Sequence, residues 1–339
     1  MITHKCSNTI LKQCFGSEKV PMEKCLTLEF EDSTYSSWKV GVAIPTYNEK
    51  ANLQLLVERL LKVFQCNKIV GRIVIVDDNS TDGTGQLADS LAQKYADISV
   101  IHRAGKLGLG SAYKEAFQFL LKDPEVKVIM EMDGDLSHEP EYIPSLLGKI
   151  EEGFDVAIGS RYVKGGAICR EWAPLRRLIS KSANFLTSLF TGLDVKDATS
   201  GFRVYEAHIL KTIDLSRIRT NDYAFQIDML YQCRKIGCEI AETPIIFQER
   251  KHGKSKLGSR AILEFAKTLE SSFAQRINLI LQNAGQFASI WVTNAFWIGL
   301  KPLRAAIREA NSIDVKTSSR LIAQNRVYSK NEKVSQRWV

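Results

Sequence analysis

The chain has 339 residues, 45% of them hydrophobic and 25% charged, which is enough apolar material for a soluble core and excludes a collagenous or fully disordered class. Its formal charge of +8 is unevenly placed: from residue 301 onward nine Lys or Arg stand against three Asp or Glu, so most of the excess lies in the tail. Seven scattered cysteines form no CxxC pair or metal-ligand spacing, a pattern of reduced thiols and a cytoplasmic setting, and no apolar leader precedes a cleavage site.

Residues 1–37 show no sustained periodicity and read as an N-terminal leader. From Trp38 onward short apolar runs alternate with amphipathic stretches. Strands are expected at Lys39–Pro45, in "GRIVIVDDNS", in "ISVIHRA", in "VKVIMEMD" and in "FDVAIGS". Helices are expected near 49–64, 83–95, 110–121 and 140–151. After Arg161 the alternation breaks into a loop, a helix near 176–190, a second loop through Arg203, a helix near 223–236 and a strand at Glu239–Phe247. Continuous apolar strands alternating with helices imply an α/β fold, a mostly parallel sheet with helices on both faces. Ligands then bind beyond the carboxyl ends of the strands. The stretch 277–300 carries no charge but is interrupted by Asn278, Gln282, Asn283, Gln286, Thr293 and Asn294, so it reads as a helical, interfacial extension rather than a span.

Polar chemistry concentrates at the expected strand ends. In "MEMDGDLSHEP", Asp133 and Asp135 follow the fourth strand with Gly134 between them, and a turn there brings both carboxylates to one point. Two such groups repel unless a cation sits between them, and hard oxygen donors suit Mg²⁺ or Mn²⁺ bridging phosphates. The competing reading is a solvated surface turn. Asp78 ends the second strand in position for a nucleobase or ribose, whereas Asp82 before Gly83 reads as a helix cap. Lys106 precedes a helix in "GKLGLGSAYKEAF", either as an anion contact or as a solvated charge. His138 reads as a turn residue. Gln226 and Asp228 in "YAFQIDML" share a face only if that segment is extended; core-edge packing is the other account. Arg161, Arg176, Arg177, Arg203, Arg250, Lys251, Lys254 and Lys256 supply cations suited to phosphates, against the alternative of solvent-facing loops.

The ordered set "AIPTYNEKANL", "IVIVDDNSTDGT", "GKLGLGSAYKEAF", "MEMDGDLSHEPEYIP", "IGSRYVKGG", "SKSANFLTSLFTG", "DATSGFRVY", "YAFQIDMLYQCRKIG" and "ERKHGKSKLG" resembles family 2 glycosyltransferases, most closely their dolichol-phosphate (polyprenol-phosphate) mannosyltransferase branch. The resemblance spans about residues 40–273 and implies a GT-A fold at 38–273, followed by a helical, basic extension at 274–339. It implies a nucleotide-sugar donor, typically GDP-mannose, a polyprenyl phosphate acceptor and inversion at the anomeric carbon. Pro45, Tyr47, Glu49 and Asp78, with Lys106 nearby, correspond to the nucleoside pocket. Asp133 and Asp135 correspond to the metal ligands, and Ser137 stands where relatives often carry a third ligand, Gln. Arg161, Arg176 or Arg177, and Arg250 correspond to phosphate-gripping positions, and Arg203 and Lys256 are expected to join them at the acceptor phosphate. Asp135, Arg161 and Arg250 are the residues expected to carry catalysis. Lys254 stands where Glu is common in relatives.

A phosphate monoester has its second pKa near 6, so the acceptor oxygen is already ionised at neutral pH and no protein base is required. The expected setting is the cytoplasmic face of a membrane, peripherally or through an anchor subunit. Nucleic acid is not an expected partner, because the tail lacks aromatic interleaving. The alternatives are another donor of the UDP-glucose type, a soluble glycan acceptor, or a non-catalytic membrane-associated binding protein.

Overall fold

The strand-and-helix alternation extends through a seven-stranded sheet. The computed structural model describes residues 38–169, 172, 174–218, 220, 222–249 and 267–274. The expected leader, the cations at 250–256, the 277–300 stretch and the basic tail lie outside these residues. The strands are β1 (Lys39–Thr46), β2 (Val70–Asp77), β3 (Ile98–His102), β4 (Val126–Glu131), β5 (Val156–Ser160), β6 (Ala167–Ile168), β7 (Arg203–Glu206), β8 (Ile240–Pro244) and β9 (Ile246–Phe247). The helices are α1 (Lys50–Cys66), α2 (Thr84–Lys94), α3 (Leu109–Leu120), α4 (Ile143–Glu151), α5 (Pro174–Thr191), α6 (Ala207–Thr212) and α7 (Asp222–Lys235).

The main sheet has the order β3-β2-β1-β4-β7-β5-β8, and β6 pairs with β9 in a separate parallel ribbon. All main-sheet pairings are parallel except those of β7, which runs antiparallel between β4 and β5. Sequence reading placed Arg203 at the end of a loop. It opens β7 instead, directly opposite Glu131. The strand expected at Glu239–Phe247 divides at Ile245, whose N–H bonds to the Ser160 carbonyl while its own carbonyl receives the Ala167 N–H.

Side-chain alternation along β1 explains the two layers. Val42 and Ile44 pack with Leu53, Leu56 and Leu60 of α1 and with Leu146 of α4. Ala43 faces the opposite core, with Ala116, Phe117 and Leu120 of α3 and Phe225 and Leu230 of α7. Burying each of the larger side chains contributes about 1.5–3 kcal/mol before conformational entropy is counted. Gly41 makes room for α3, since a Cβ there would lie 2.7 Å from the tip of Leu120. The parallel strands β1, β2 and β4 therefore end side by side on one rim, and the polar loops of the sequence gather there.

Candidate active site

The loops after β1 and β2 are fastened to each other. Asn48 N–H donates to Ser80 Oγ at 2.9 Å, and Thr81 N–H returns a bond to Asn48 Oδ1 at 2.9 Å. Glu49 N–H donates to Thr84 Oγ1 at 2.9 Å. Asp82 accepts from Lys50 N–H at 3.1 Å and from Thr84 N–H at 3.0 Å, so one carboxylate serves the first residue of both α1 and α2. Hydrogen bonds hold its carboxyl below the usual range against the opposing effect of burial, which is the larger single influence. The expected capping role of Asp82 is thus observed, and it extends to a second helix.

Asp78 is buried, and its two oxygens have separate partners: Oδ1 takes Arg103, and Oδ2 takes Gly108 N–H at 3.1 Å. Arg103 is equally buried and also reaches the Gly108 carbonyl and Ser111 Oγ. This pair, which the sequence did not single out, folds the glycine-rich loop over the end of β2. The same loop carries Lys106, whose Nζ lies 4.3 Å from the centre of the Tyr47 ring. Pro45 and Tyr47 are partly exposed at the rim, and buried Glu49 accepts from Asn52 Nδ2 at 2.8 Å. The five residues expected at a nucleoside pocket therefore meet at the ends of β1 and β2.

The acidic turn lies beside them. Gly134 was expected to supply the bend, yet the left-handed residue is Leu136, at φ +65°. A bulky side chain in that region is strained by about 1–2 kcal/mol, and packing of the buried Leu136 in the core around α4 compensates. Gly134 serves by lacking a side chain, since a Cβ would stand 3.2 Å from the Pro45 carbonyl. Asp133 keeps about a third of its side chain exposed, whereas Asp135 is buried. Ser137, expected as a third metal ligand, is buried. Its N–H and hydroxyl both donate to Asp135 Oδ1, at 3.0 and 2.6 Å, which makes it a brace for that carboxylate. His138 is a turn residue with a fixed role: Nδ1 accepts Asp133 N–H at 3.3 Å, and the ring stacks 5.0 Å from Phe202. Burial pushes its pKa down to about 4, so it is neutral at physiological pH.

Two carboxylates on one short turn, with glycine on the facing loop, suit a divalent cation. A Cβ on Gly201 would lie 3.5 Å from Asp133 Oδ1, so glycine keeps the space beside that oxygen open. The hard donor set fits Mg²⁺ or Mn²⁺. Among the described residues, the group of three whose ligand atoms lie within 4.8 Å of one another is Asp155, Glu206 and His208, at the opposite end of the sheet. There the imidazole sits between the acids, with Nδ1 2.8 Å from Glu206 and Nε2 3.9 Å from Asp155.

The cations divide into two kinds. Arg203 is fully buried and donates to the carbonyls of Gln226 and Ala198 at 2.6 Å each, opposite buried Glu131. Burial raises the Glu131 pKa to about 7 despite the Arg203 charge. Arg161 is also buried; Nε and Nη2 fork onto Asp197 at 2.7 and 2.6 Å, and Nη2 reaches Thr199. Both were expected to grip phosphate; each is held from inside, Arg161 by Asp197 and Thr199 and Arg203 by two backbone carbonyls. Arg176 and Arg177 remain partly exposed at the start of α5. Arg176 stacks 3.7 Å from the Trp172 ring centre and pairs with Glu249 at 3.1 Å, and Arg177 donates to the Cys169 carbonyl. Gln226 is buried in α7, with its amide beside the carboxyl of Glu131. The segment is helical, and Asp228 accepts from Gln232 one turn on and from Thr220, which precedes the helix.

Helix α5 is inverted relative to an ordinary surface helix. Asn184, Thr187 and Thr191 face inward, whereas Leu178, Ile179, Phe185, Leu186 and Leu189 are exposed, Phe185 by 67%. Asn184 anchors the inner face through a two-way bond with Thr199. Among the described residues no helix is long and apolar enough to cross a membrane.

The family model described as Glycosyl transferase family 2 matches residues 41–214. Polyprenol monophosphomannose synthase of Mycolicibacterium smegmatis is 43% identical over 224 residues, covering 66% of this chain and 82% of that protein. Undecaprenyl-phosphate mannosyltransferase of Micrococcus luteus is 38% identical over 226 residues, covering 67% and 90%. Among solved structures, glucosyl-3-phosphoglycerate synthase from Mycobacterium tuberculosis, in complex with Mn²⁺ and UDP-glucose, has a TM-score of 0.52 at 18% identity over 70% of this chain and 80% of that one. Mannosyl-3-phosphoglycerate synthase from Rubrobacter xylanophilus has a TM-score of 0.52 at 17% identity, covering 74% and 76%. The structural likenesses establish the GT-A fold expected from the motifs. With the sequence matches, they make the chain a glycosyltransferase that belongs to glycosyl transferase family 2.

Proposed function

We propose that the enzyme transfers mannose from GDP-mannose to a polyprenyl phosphate, with inversion and without a protein general base. The observation that carries this reading is the meeting of Asp78, Glu49, Lys106, Tyr47, Asp133 and Asp135 on one rim, in a chain whose α5 turns its apolar face outward. The names of the two curated relatives supply the sugar and the lipid class.

In this reading the pocket formed by Pro45, Tyr47, Glu49 and the Asp78-anchored loop holds the nucleoside, and Lys106 faces the diphosphate. Asp133 and Asp135 hold Mg²⁺ or Mn²⁺, which when bound supplies Lewis-acid stabilisation of the leaving diphosphate. Ser137 fixes one oxygen of Asp135, and His138 fixes the backbone of Asp133, so the acids need little rearrangement on loading. Arg176 and Arg177, with Arg250 and Lys256 beyond the described residues, receive the acceptor phosphate. Its oxygen is ionised at neutral pH, so these cations act by positioning and charge balance rather than by taking a proton. The outward apolar face of α5, with Arg176, Arg177 and Lys181 on the same helix, rests on the anionic surface of the membrane that holds the lipid.

The test is a panel of nucleotide sugars with Mg²⁺ or Mn²⁺, scored for sugar transfer to extractable polyprenyl phosphate. Transfer from GDP-mannose alone is the expected result. Hydrolysis without transfer, or transfer only to water-soluble acceptors, overturns the lipid-phosphate reading.

A further inference from the structure

Tyr113 is completely buried, yet its one polar atom is directed at the acidic turn: the hydroxyl donates to Asp133 Oδ1 at 3.2 Å. The phenol packs against two aromatic rings. Phe225 lies 6.0 Å away with its ring inclined by only 11°, and Phe117 lies 6.1 Å away at 25°. One turn earlier, Gly110 lets α3 approach α7 closely; a Cβ there would stand 2.8 Å from the Phe225 ring and from the Thr220 carbonyl. A ring held this way keeps one rotamer, and its hydroxyl has one direction in which to donate.

We propose that Tyr113 is a positioning residue for Asp133, a role that rests on the reading of Asp133 as a metal–diphosphate ligand. The hydroxyl sets the rotamer of that carboxylate and fixes which oxygen is turned toward the core. Helix α3 also begins at the loop whose Gly108 N–H holds Asp78. A single rigid helix thus sets both the acid assigned to the nucleoside and the acid assigned to the cation, and it fixes their spacing. The competing account is that Tyr113 is a core residue whose hydroxyl takes the nearest acceptor. The two accounts differ in what removal of the hydroxyl alone does, because hydrogen-bonded partners of metal ligands typically contribute about 10–100-fold to metal affinity or activity.

The experiment titrates full-length protein with Mn²⁺, alone and with GDP, by electron paramagnetic resonance. Tyr113→Phe preserves ring packing and is expected to keep its thermal midpoint within a few degrees while weakening Mn²⁺–GDP binding about tenfold. In transfer assays the donor KM rises more than kcat falls. Leu120→Ala, buried further along α3, is the packing control: it lowers the midpoint and leaves Mn²⁺–GDP affinity unchanged. Asp133→Asn tests the underlying reading; if it binds Mn²⁺–GDP like the wild type, Asp133 is not a ligand and that assignment fails first. If Asp133→Asn loses binding while Tyr113→Phe keeps it, the assignment of Asp133 stands and the role of Tyr113 is overturned. Equal losses in Tyr113→Phe and Leu120→Ala also overturn it, since packing then accounts for both.

Discussion

Arg161 and Asp197 form a closed pair inside the protein: the carboxylate receives the backbone N–H of Arg161 at 2.9 Å as well as the two arms of its guanidinium. Burial alone would raise the Asp197 pKa, but the Arg161 charge and hydrogen bonds, helped by Arg203, bring it below the usual carboxylate range. Breaking such a pair by Asp197→Ala is expected to destabilise the fold by about 3–5 kcal/mol, because a buried guanidinium is left without its counter-charge. Urea denaturation measures this, and a loss under about 1 kcal/mol rejects the clamp.

The same pair predicts an acid limb in stability. The folded-state pKa of Asp197 is lower than its unfolded value, so the unfolded chain takes up the proton first. Its stabilising contribution is complete above the unfolded pKa, near 3.9, and is lost as pH falls through the folded value. Urea midpoints of wild type and Asp197→Asn are expected to converge below about pH 4 and to differ most at neutral pH. A gap that does not narrow with acid contradicts the assignment.

Asp135→Ala is expected to abolish sugar transfer while leaving the far-ultraviolet circular dichroism and melting profile close to wild type. Near-normal turnover of this variant with GDP-mannose and a short polyprenyl phosphate would sink the metal–diphosphate reading.

Arg103→Met removes the partner that holds Asp78 and the Gly108 loop. The donor KM is expected to rise more than kcat falls, with a stability loss of about 3–5 kcal/mol from the orphaned carboxylate. An unchanged donor KM in the folded variant shows that the loop does not contribute to the nucleoside pocket.

Substitution on the outward face of α5 separates membrane contact from catalysis. Because each buried apolar side chain contributes about 1.5–3 kcal/mol, Phe185→Asp is expected to reduce flotation with anionic vesicles at least tenfold. Transfer to a short, detergent-soluble acceptor is expected to persist. Undiminished flotation places the contact elsewhere.

The sequence made the first five strands and the acidic rim legible because each strand is a continuous apolar run followed at once by turn residues, and that periodicity is local. Strand β7 was not legible. It is four residues long, opens with Arg203, and exists through antiparallel pairing with β4 and β5, which are distant in the chain. The internal partners of the cations were hidden for a related reason. Nothing in the sequence ties Arg161 to Asp197, 36 residues further on, or Arg203 to the Gln226 carbonyl. Tyr113 was hidden because an aromatic on the inward face of an amphipathic helix looks like plain core, and nothing in the sequence shows where its hydroxyl points.

Leu136 gives the acidic turn a property that its side chains alone do not convey. The backbone there adopts a shape that a leucine resists, so the turn has no preference for its own geometry and receives it from the core around α4. If the turn holds the donor as proposed, affinity for it is coupled to the packing of that core. Cavities cut in the core that Leu136 shares, for example at Leu146 or Leu147, should loosen the acidic turn well before the molecule unfolds, and warming should do the same.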